Sequence, residues 1–150
     1  MGLKLDGRLC LEILRGPAAE RANVRVCKGI YPEPAPIAFQ DRETTRKNFL
    51  ACLEILLVAD CTVGIATHDD WLIQEARRLV GHLGLPRDRY EFQMLLGVRP
   101  DLRQRLRAEG ERVRIYVPFG EKWRAYCLRR FTENPEILGH VLRALWERHG

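Results

Sequence analysis

The sequence predicts an α/β fold built from parallel (β/α) repeats. Short β-branched runs alternate with longer stretches of helical period, four times over. Strands joined through helices are normally parallel, with right-handed crossovers. Polar residues also gather just past the carboxyl end of each strand-like run, where sites in such folds lie. Two architectures satisfy these observations, a doubly wound sheet and a (β/α) barrel. No GxGxxG or GxxxxGKS follows any strand, which counts against a nucleotide-binding sheet of the usual kind.

The elements follow in order. Residues 3–15 have helical period through Leu5, Leu9, Leu11, Ile13 and Leu14, so residues 1–22 read as a helical lead-in. Val24 to Cys27 (VRVC) is a strand. Lys28 to Phe39 (KGIYPEPAPIAF) contains Gly29 and three prolines and is therefore a loop. Arg42 to Ala59 predicts a helix whose apolar face is Phe49, Cys52, Leu53, Leu56 and Leu57. Thr62 to Ala66 (TVGIA) is the second strand. Asp69 or Asp70 caps a helix carrying Trp71, Ile73, Ala76, Val80 and Leu83, stopped by Gly84 and Pro86. Tyr90 to Leu95 (YEFQML) is the third strand, and Gly97 and Pro100 turn the chain into a helix over 101–108. Val113 to Val117 (VRIYV) is the fourth. Pro118 and Gly120 form a turn, Glu121 to Phe131 is helical, and Pro135 restarts a final helix over 136–148.

A chain of 150 residues suffices for one domain with a real core. With 46% hydrophobic and 30% charged residues it reads as soluble and globular rather than disordered. The longest apolar run, Leu53 to Val58, falls far short of the roughly 18 residues a membrane span needs. The first residues have no continuous apolar core followed by a cleavage site, so no signal peptide is expected. The five cysteines, at 10, 27, 52, 61 and 127, are odd in number and form no CxxC pair. They read as buried free thiols in a reducing, cytoplasmic setting, and no Cys/His spacing suggests a metal site. The net charge is +5, but Arg and Lys are dispersed among Asp and Glu, so nucleic acid is not an expected partner.

Candidate chemistry lies at the strand ends. The first strand carries Arg25 and leads to Lys28 and Gly29, and the second leads to Thr67 and His68. The third carries Gln93 and leads to Gly97. The fourth carries Tyr116 and leads to Pro118 and Gly120. His68 either faces the site or caps the following helix, and Lys28 is either a ligand residue or a solvated loop residue. Arg25 sits between Val24 and Val26 and points to the opposite face from theirs. A strand buried on both faces would oblige its charge to find an anion or a hydrogen-bond network.

The adjacent Arg129 and Arg130 pose a separate question. Tyr126, Arg130 and Glu133 fall on one helical stripe, with Arg129 about 100° round from Arg130. One reading is a charged solvent face with Glu133 pairing Arg130. The other is a clamp of planar, bidentate donors for a carboxylate, with Tyr116 and Tyr126 walling the apolar part of an amino acid or small carboxylic acid.

The segments RVCKGIY, ATHD, EFQMLLG and RIYVPFGEKWRAYCLRRFTENPE, in this order, resemble the flavin-dependent proline dehydrogenases. The resemblance runs from about Asn23 to the C-terminus. It implies a distorted (β/α)8 TIM-type barrel of which residues 23–150 supply the later half, within one partial domain over 1–150. It implies FAD as cofactor and L-proline as substrate. The product would be 1-pyrroline-5-carboxylate, on the way to glutamate, with electrons passing to a membrane quinone. A cytoplasmic protein, peripheral at the inner face of the membrane, is then expected. By resemblance, Arg25 is the catalytic arginine beside the flavin's reactive edge, where its charge would favour the reduced form. Lys28, Gly29 and Ile30 match a flavin-binding segment, with Ile30 in place of a common alanine. Thr67 and His68 match another, with Asp69 in place of asparagine. Arg129 and Arg130 match the pair that grips the substrate carboxylate. Tyr116, Tyr126 and Leu95 match residues lining the proline ring, and Glu133 matches a gate residue. Ile30 is expected to narrow the pocket, and Asp69 to place an extra negative charge near the cofactor.

Four parallel strands do not close a barrel of eight, and two open edges invite pairing. The family's earlier strands, with a lysine and an aspartate of the substrate site, find no counterpart here. The chain is therefore expected to be a fragment, or a half-barrel pairing with itself or with a separate N-terminal chain, in preference to an inactive remnant. Weak or absent proline oxidation is expected of it alone. The reading from another class is a non-catalytic open α/β domain that binds a small carboxylate or a complementary chain; it would be colourless where a flavoprotein is yellow.

Overall fold

The computed structural model of the chain describes residues 22–28, 34–117 and 119–121. The predicted helices over 3–15, 121–131 and 136–148 lie essentially outside the described residues. Among the described residues four strands and three helices alternate: β1 (Asn23–Cys27), α1 (Arg42–Val58), β2 (Thr62–Ala66), α2 (Asp70–His82), β3 (Tyr90–Leu95), α3 (Pro100–Ala108) and β4 (Val113–Tyr116). The strands form one sheet in the order β1-β2-β3-β4, and every neighbouring pair is parallel. The predicted alternation is thus observed, with boundaries moved by a residue or two. Pro100 begins α3 because a proline loses nothing at the first helical position, and β4 ends at Tyr116 rather than Val117.

The two faces of the sheet differ because side chains alternate along each strand. Val63, Ile65, Tyr90, Phe92 and Met94 share one face and join a single core with the helices. α1 contributes Phe49, Leu53, Leu56 and Leu57, α2 contributes Leu72, Ile73, Ala76 and Val80, and α3 contributes Leu102 and Leu106. Burying large side chains such as Phe92 and Leu53 stabilises the fold by roughly 1.5–3 kcal/mol each. The other face carries Arg25, Gly64, Glu91, Gln93, Arg114 and Tyr116, as the register Arg25↔Gly64↔Glu91 and Gln93↔Arg114, Leu95↔Tyr116 requires.

Local chemistry sets the helix ends. The Asp41 carboxylate accepts the Thr44 amide at 2.7 Å and starts α1. Asp69 rather than Asp70 caps α2, accepting from the amides of Trp71 and Leu72. Gly84 stops α2 with a φ of +61°, a conformation that side-chain-bearing residues rarely adopt.

Trp71, one of the residues carried by α2, is exposed, and the Arg46 guanidinium lies 5.1 Å from its ring centroid. One expectation needs correction. Cys52 and Cys61 are buried free thiols, but Cys27 is exposed, because it shares the parity of Arg25 and points to the polar face.

Candidate active site

A hydrogen-bonded chain of side chains crosses the polar face of the sheet. Arg25, on β1, donates from Nε to Oε1 of Gln93, on β3, at 2.8 Å. Gln93 in turn donates from Nε2 to Oε1 of Glu91 at 2.8 Å. Glu91 is gripped from β4 by Arg114, which donates from Nε to Oε1 and from a terminal nitrogen to Oε2 at 3.1 Å. These bonds from Arg114 hold the Glu91 carboxyl below the usual carboxylate range despite its partial burial. The chain passes over β2 at Gly64, where an added Cβ would stand 2.4 Å from Nε2 of Gln93. A glycine in mid-strand thus makes room for the crossing.

A second cluster sits where β1 and β2 end. The Asp69 side chain is only 5% exposed and takes a hydrogen bond of 2.8 Å from Lys28 Nζ. Arg46 donates to both of its oxygens, at 2.7 and 3.0 Å. Burial pushes the Asp69 carboxyl up, but the hydrogen bonds and charges of Arg46 and Lys28 outweigh it and hold the group far below the ordinary range. Thr67 is buried, and its hydroxyl accepts the Asp69 amide at 3.1 Å. His68 accepts the Leu95 amide on Nε2 at 3.0 Å and so ties the end of β2 to the end of β3. Tyr116 ends β4 directly opposite Leu95 and is half exposed.

The structure therefore brings Arg25, Lys28, Thr67, His68, Leu95 and Tyr116 to one face or one end of the sheet. Gly29, Ile30, Tyr126, Arg129, Arg130 and Glu133 lie outside the described residues. Arg25 is exposed and not enclosed by a sheet buried on both faces, yet it has found a hydrogen-bond partner. His68 does not cap α2, since Asp69 does. Lys28 is no solvated loop residue but half of an ion pair. The extra negative charge expected at Asp69 is neutralised by Lys28 and Arg46, with Arg42 at 3.6 Å, and consumed in capping.

The strand-end pattern counted Gln93 among the site-facing polar groups without giving it a partner, and passed over Glu91, Arg114, Gly64 and Arg46. A signal existed for the first four. Glu91 and Gln93 share a strand face opposite Tyr90, Phe92 and Met94, Arg114 continues that face, and Gly64 interrupts a β-branched run. Nothing local marks Arg46, which meets Asp69 only through the packing of α1 beside α2.

Comparison with known proteins bears on this site. A family model described as proline dehydrogenase matches residues 22–143. The chain is 40% identical over 125 residues to a proline dehydrogenase of Deinococcus radiodurans, covering 83% of this chain and 40% of that protein. It is 37% identical over 128 residues to proline dehydrogenase 1 of Bacillus subtilis strain 168, covering 85% of this chain and 42% of that one. It thus spans about two fifths of the length of these relatives. Among solved structures, proline utilization A (PutA) from Bdellovibrio bacteriovorus, inactivated by N-propargylglycine, matches with a TM-score of 0.76 at 23% identity. That match covers 88% of this chain and 16% of the other, and it shows the α/β fold.

Proposed function

Because this chain belongs to the proline dehydrogenase family, we propose that it forms the later half of a flavin-dependent barrel that oxidises L-proline to 1-pyrroline-5-carboxylate. The observation that carries this reading is the convergence of Arg25, Lys28, Thr67, His68 and Tyr116 on one face and one end of a parallel sheet. The whole of 1–150 is then one partial barrel domain, with 1–22 as its lead-in.

The donor set fits FAD. A flavin has a polar edge that gathers negative charge on reduction, and its dinucleotide carries phosphates. Arg25 uses Nε for Gln93 and keeps both terminal nitrogens without a bond among the described residues. Lys28, with Gly29 and Ile30 after it and Thr67 and His68 beside it, would hold the remainder of the cofactor. The chemistry FAD supplies when bound is acceptance of a hydride from the substrate's ring carbon. Arg25 contributes a fixed positive charge where negative charge develops. Arg129 and Arg130 would orient the substrate carboxylate, and Tyr116 and Tyr126, with Leu95, would line its ring. Loss of the hydride and of the ring nitrogen's proton leaves the cyclic imine. A quinone-type compound would serve as the final electron acceptor, which would bring a cytoplasmic protein to the inner face of the membrane.

β1 and β4 are the outer strands of the described sheet. The remaining strands of the barrel, whether from a longer chain, a second copy or a separate N-terminal half, would close against them. The test is a visible spectrum of purified chain after FAD loading and removal of free flavin, alone and mixed with the N-terminal half of a relative. Retained flavin that bleaches with L-proline supports the reading. Failure to retain flavin in either case would sink it and favour a colourless carboxylate-binding domain.

A further inference from the structure

We propose that Gln93 is a positioning residue that aims Arg25, with Glu91 and Arg114 setting the sense of its amide and Gly64 giving it room to cross β2. The proposal rests on the flavoenzyme reading for its function, but not for its geometry. A glutamine amide has an accepting and a donating end, and only one orientation suits its neighbours here. Oε1 faces the Arg25 Nε–H, and Nε2 faces the Glu91 carboxylate. The reverse orientation would set donor against donor at Arg25 and acceptor against acceptor at Glu91. Glu91 therefore fixes the amide, and Arg114, bonding both carboxylate oxygens, fixes Glu91.

The reach across the sheet is unusual for ordinary cross-strand pairing, which joins direct neighbours. Gln93 pairs in register with Ala66, whereas Arg25 pairs with Gly64, so the side chain runs diagonally over a whole strand to meet its partner. It lies where a Cβ at position 64 would be, 2.4 Å from Nε2 and 2.8 Å from the amide carbon. Three strands thus cooperate to hold one guanidinium by its Nε, and its two terminal nitrogens keep a defined direction.

The test reads Arg25 directly, without flavin. The hydrogen exchange rate of the Arg25 Nε–H is followed by 15N NMR on the full chain. The Arg77 Nε–H, bonded to Glu111 at 3.0 Å, serves as the internal reference for folding. Gln93→Leu is expected to speed Arg25 exchange about tenfold or more, the loss of one charge-assisted hydrogen bond, and to leave Arg77 unchanged. Gln93→Glu alone sets two carboxylates together. Combined with Glu91→Gln it restores a hydrogen bond between residues 91 and 93. The new amide donates to the new carboxylate, and its oxygen accepts from the terminal nitrogen of Arg114 with loss only of the Arg114 Nε bond, so the pair should restore slow Arg25 exchange. If the leucine variant unfolds, Arg77 reports it and the double swap decides. Unchanged Arg25 exchange in Gln93→Leu, or no recovery in the double swap, overturns the proposal. On flavin-loaded protein, sulfite affinity, which rises with positive charge at the flavin, should fall about tenfold in Gln93→Leu and recover in the swap. A chain that retains no flavin would count against the flavoenzyme reading while leaving the exchange result to judge Gln93.

Discussion

Replacing Asp69 by asparagine isolates the charge of one carboxylate from its shape. Oδ1 of Asp69 accepts from Arg46 at 2.7 Å and from the amides of Trp71 and Leu72, at 3.2 and 3.5 Å, all of which an asparagine oxygen can retain. Oδ2 accepts from Lys28 at 2.8 Å and from Arg46 Nε at 3.0 Å, and both bonds are lost when an NH2 group takes its place. Charge-assisted hydrogen bonds contribute about 1.5–3 kcal/mol each. Lys28 and Arg46 remain 27% and 21% exposed and recover part of this from water, so the net loss should be about 2–3 kcal/mol. Urea denaturation at neutral pH measures it, and a fall in Tm of roughly 6–10 °C should accompany it. The sign of the pH dependence follows from the lowered carboxyl pKa in the folded state. Its contribution is fully present above the unfolded value, about 3.9, and is lost as the pH falls toward the folded value. The gap between the parent and Asp69→Asn should therefore narrow by about 1 kcal/mol between pH 5 and pH 3. A gap below about 0.5 kcal/mol at pH 7, or one that does not change with acid, would refute the claim that the carboxylate's charge holds this junction.

Other substitutions test the fold that carries the site. Phe92→Ala empties the centre of the core, where the ring is 1% exposed, and should lower stability by about 3–5 kcal/mol in the same assay. Gly81→Ala and Gly84→Ala meet no atom within 4 Å, so sterics do not distinguish them. Gly81 lies within α2 and its replacement should stabilise by about 0.5–1 kcal/mol, whereas Gly84 has a φ of +61° and its replacement should destabilise by about 1 kcal/mol. Equal effects of the two would contradict the left-handed turn. Tyr90→Phe removes the hydroxyl that donates to Glu111 at 3.1 Å, while Arg77 still holds that carboxylate. The expected loss is about 1 kcal/mol, read as a shift in the denaturation midpoint.

The sequence by itself determined the order and type of the elements, because each depends on a local period. YEFQML alternates every second residue and becomes a strand with a core face and a polar face. The α1 segment repeats its apolar residues every three or four positions and becomes a helix with Phe49, Leu53 and Leu57 on its inner side. The strand ends were equally legible, and with them Arg25, Lys28, Thr67, His68 and Tyr116. The tertiary structure alone decided which of these residues meet. Arg25 and Gln93 are 68 residues apart, and Lys28 and Arg46 reach Asp69 from 41 and 23 residues away. Such meetings depend on strand register and on how helices lie beside one another. Both are set by packing on the apolar face of the sheet, so the partners on the polar face are fixed by residues that never touch them.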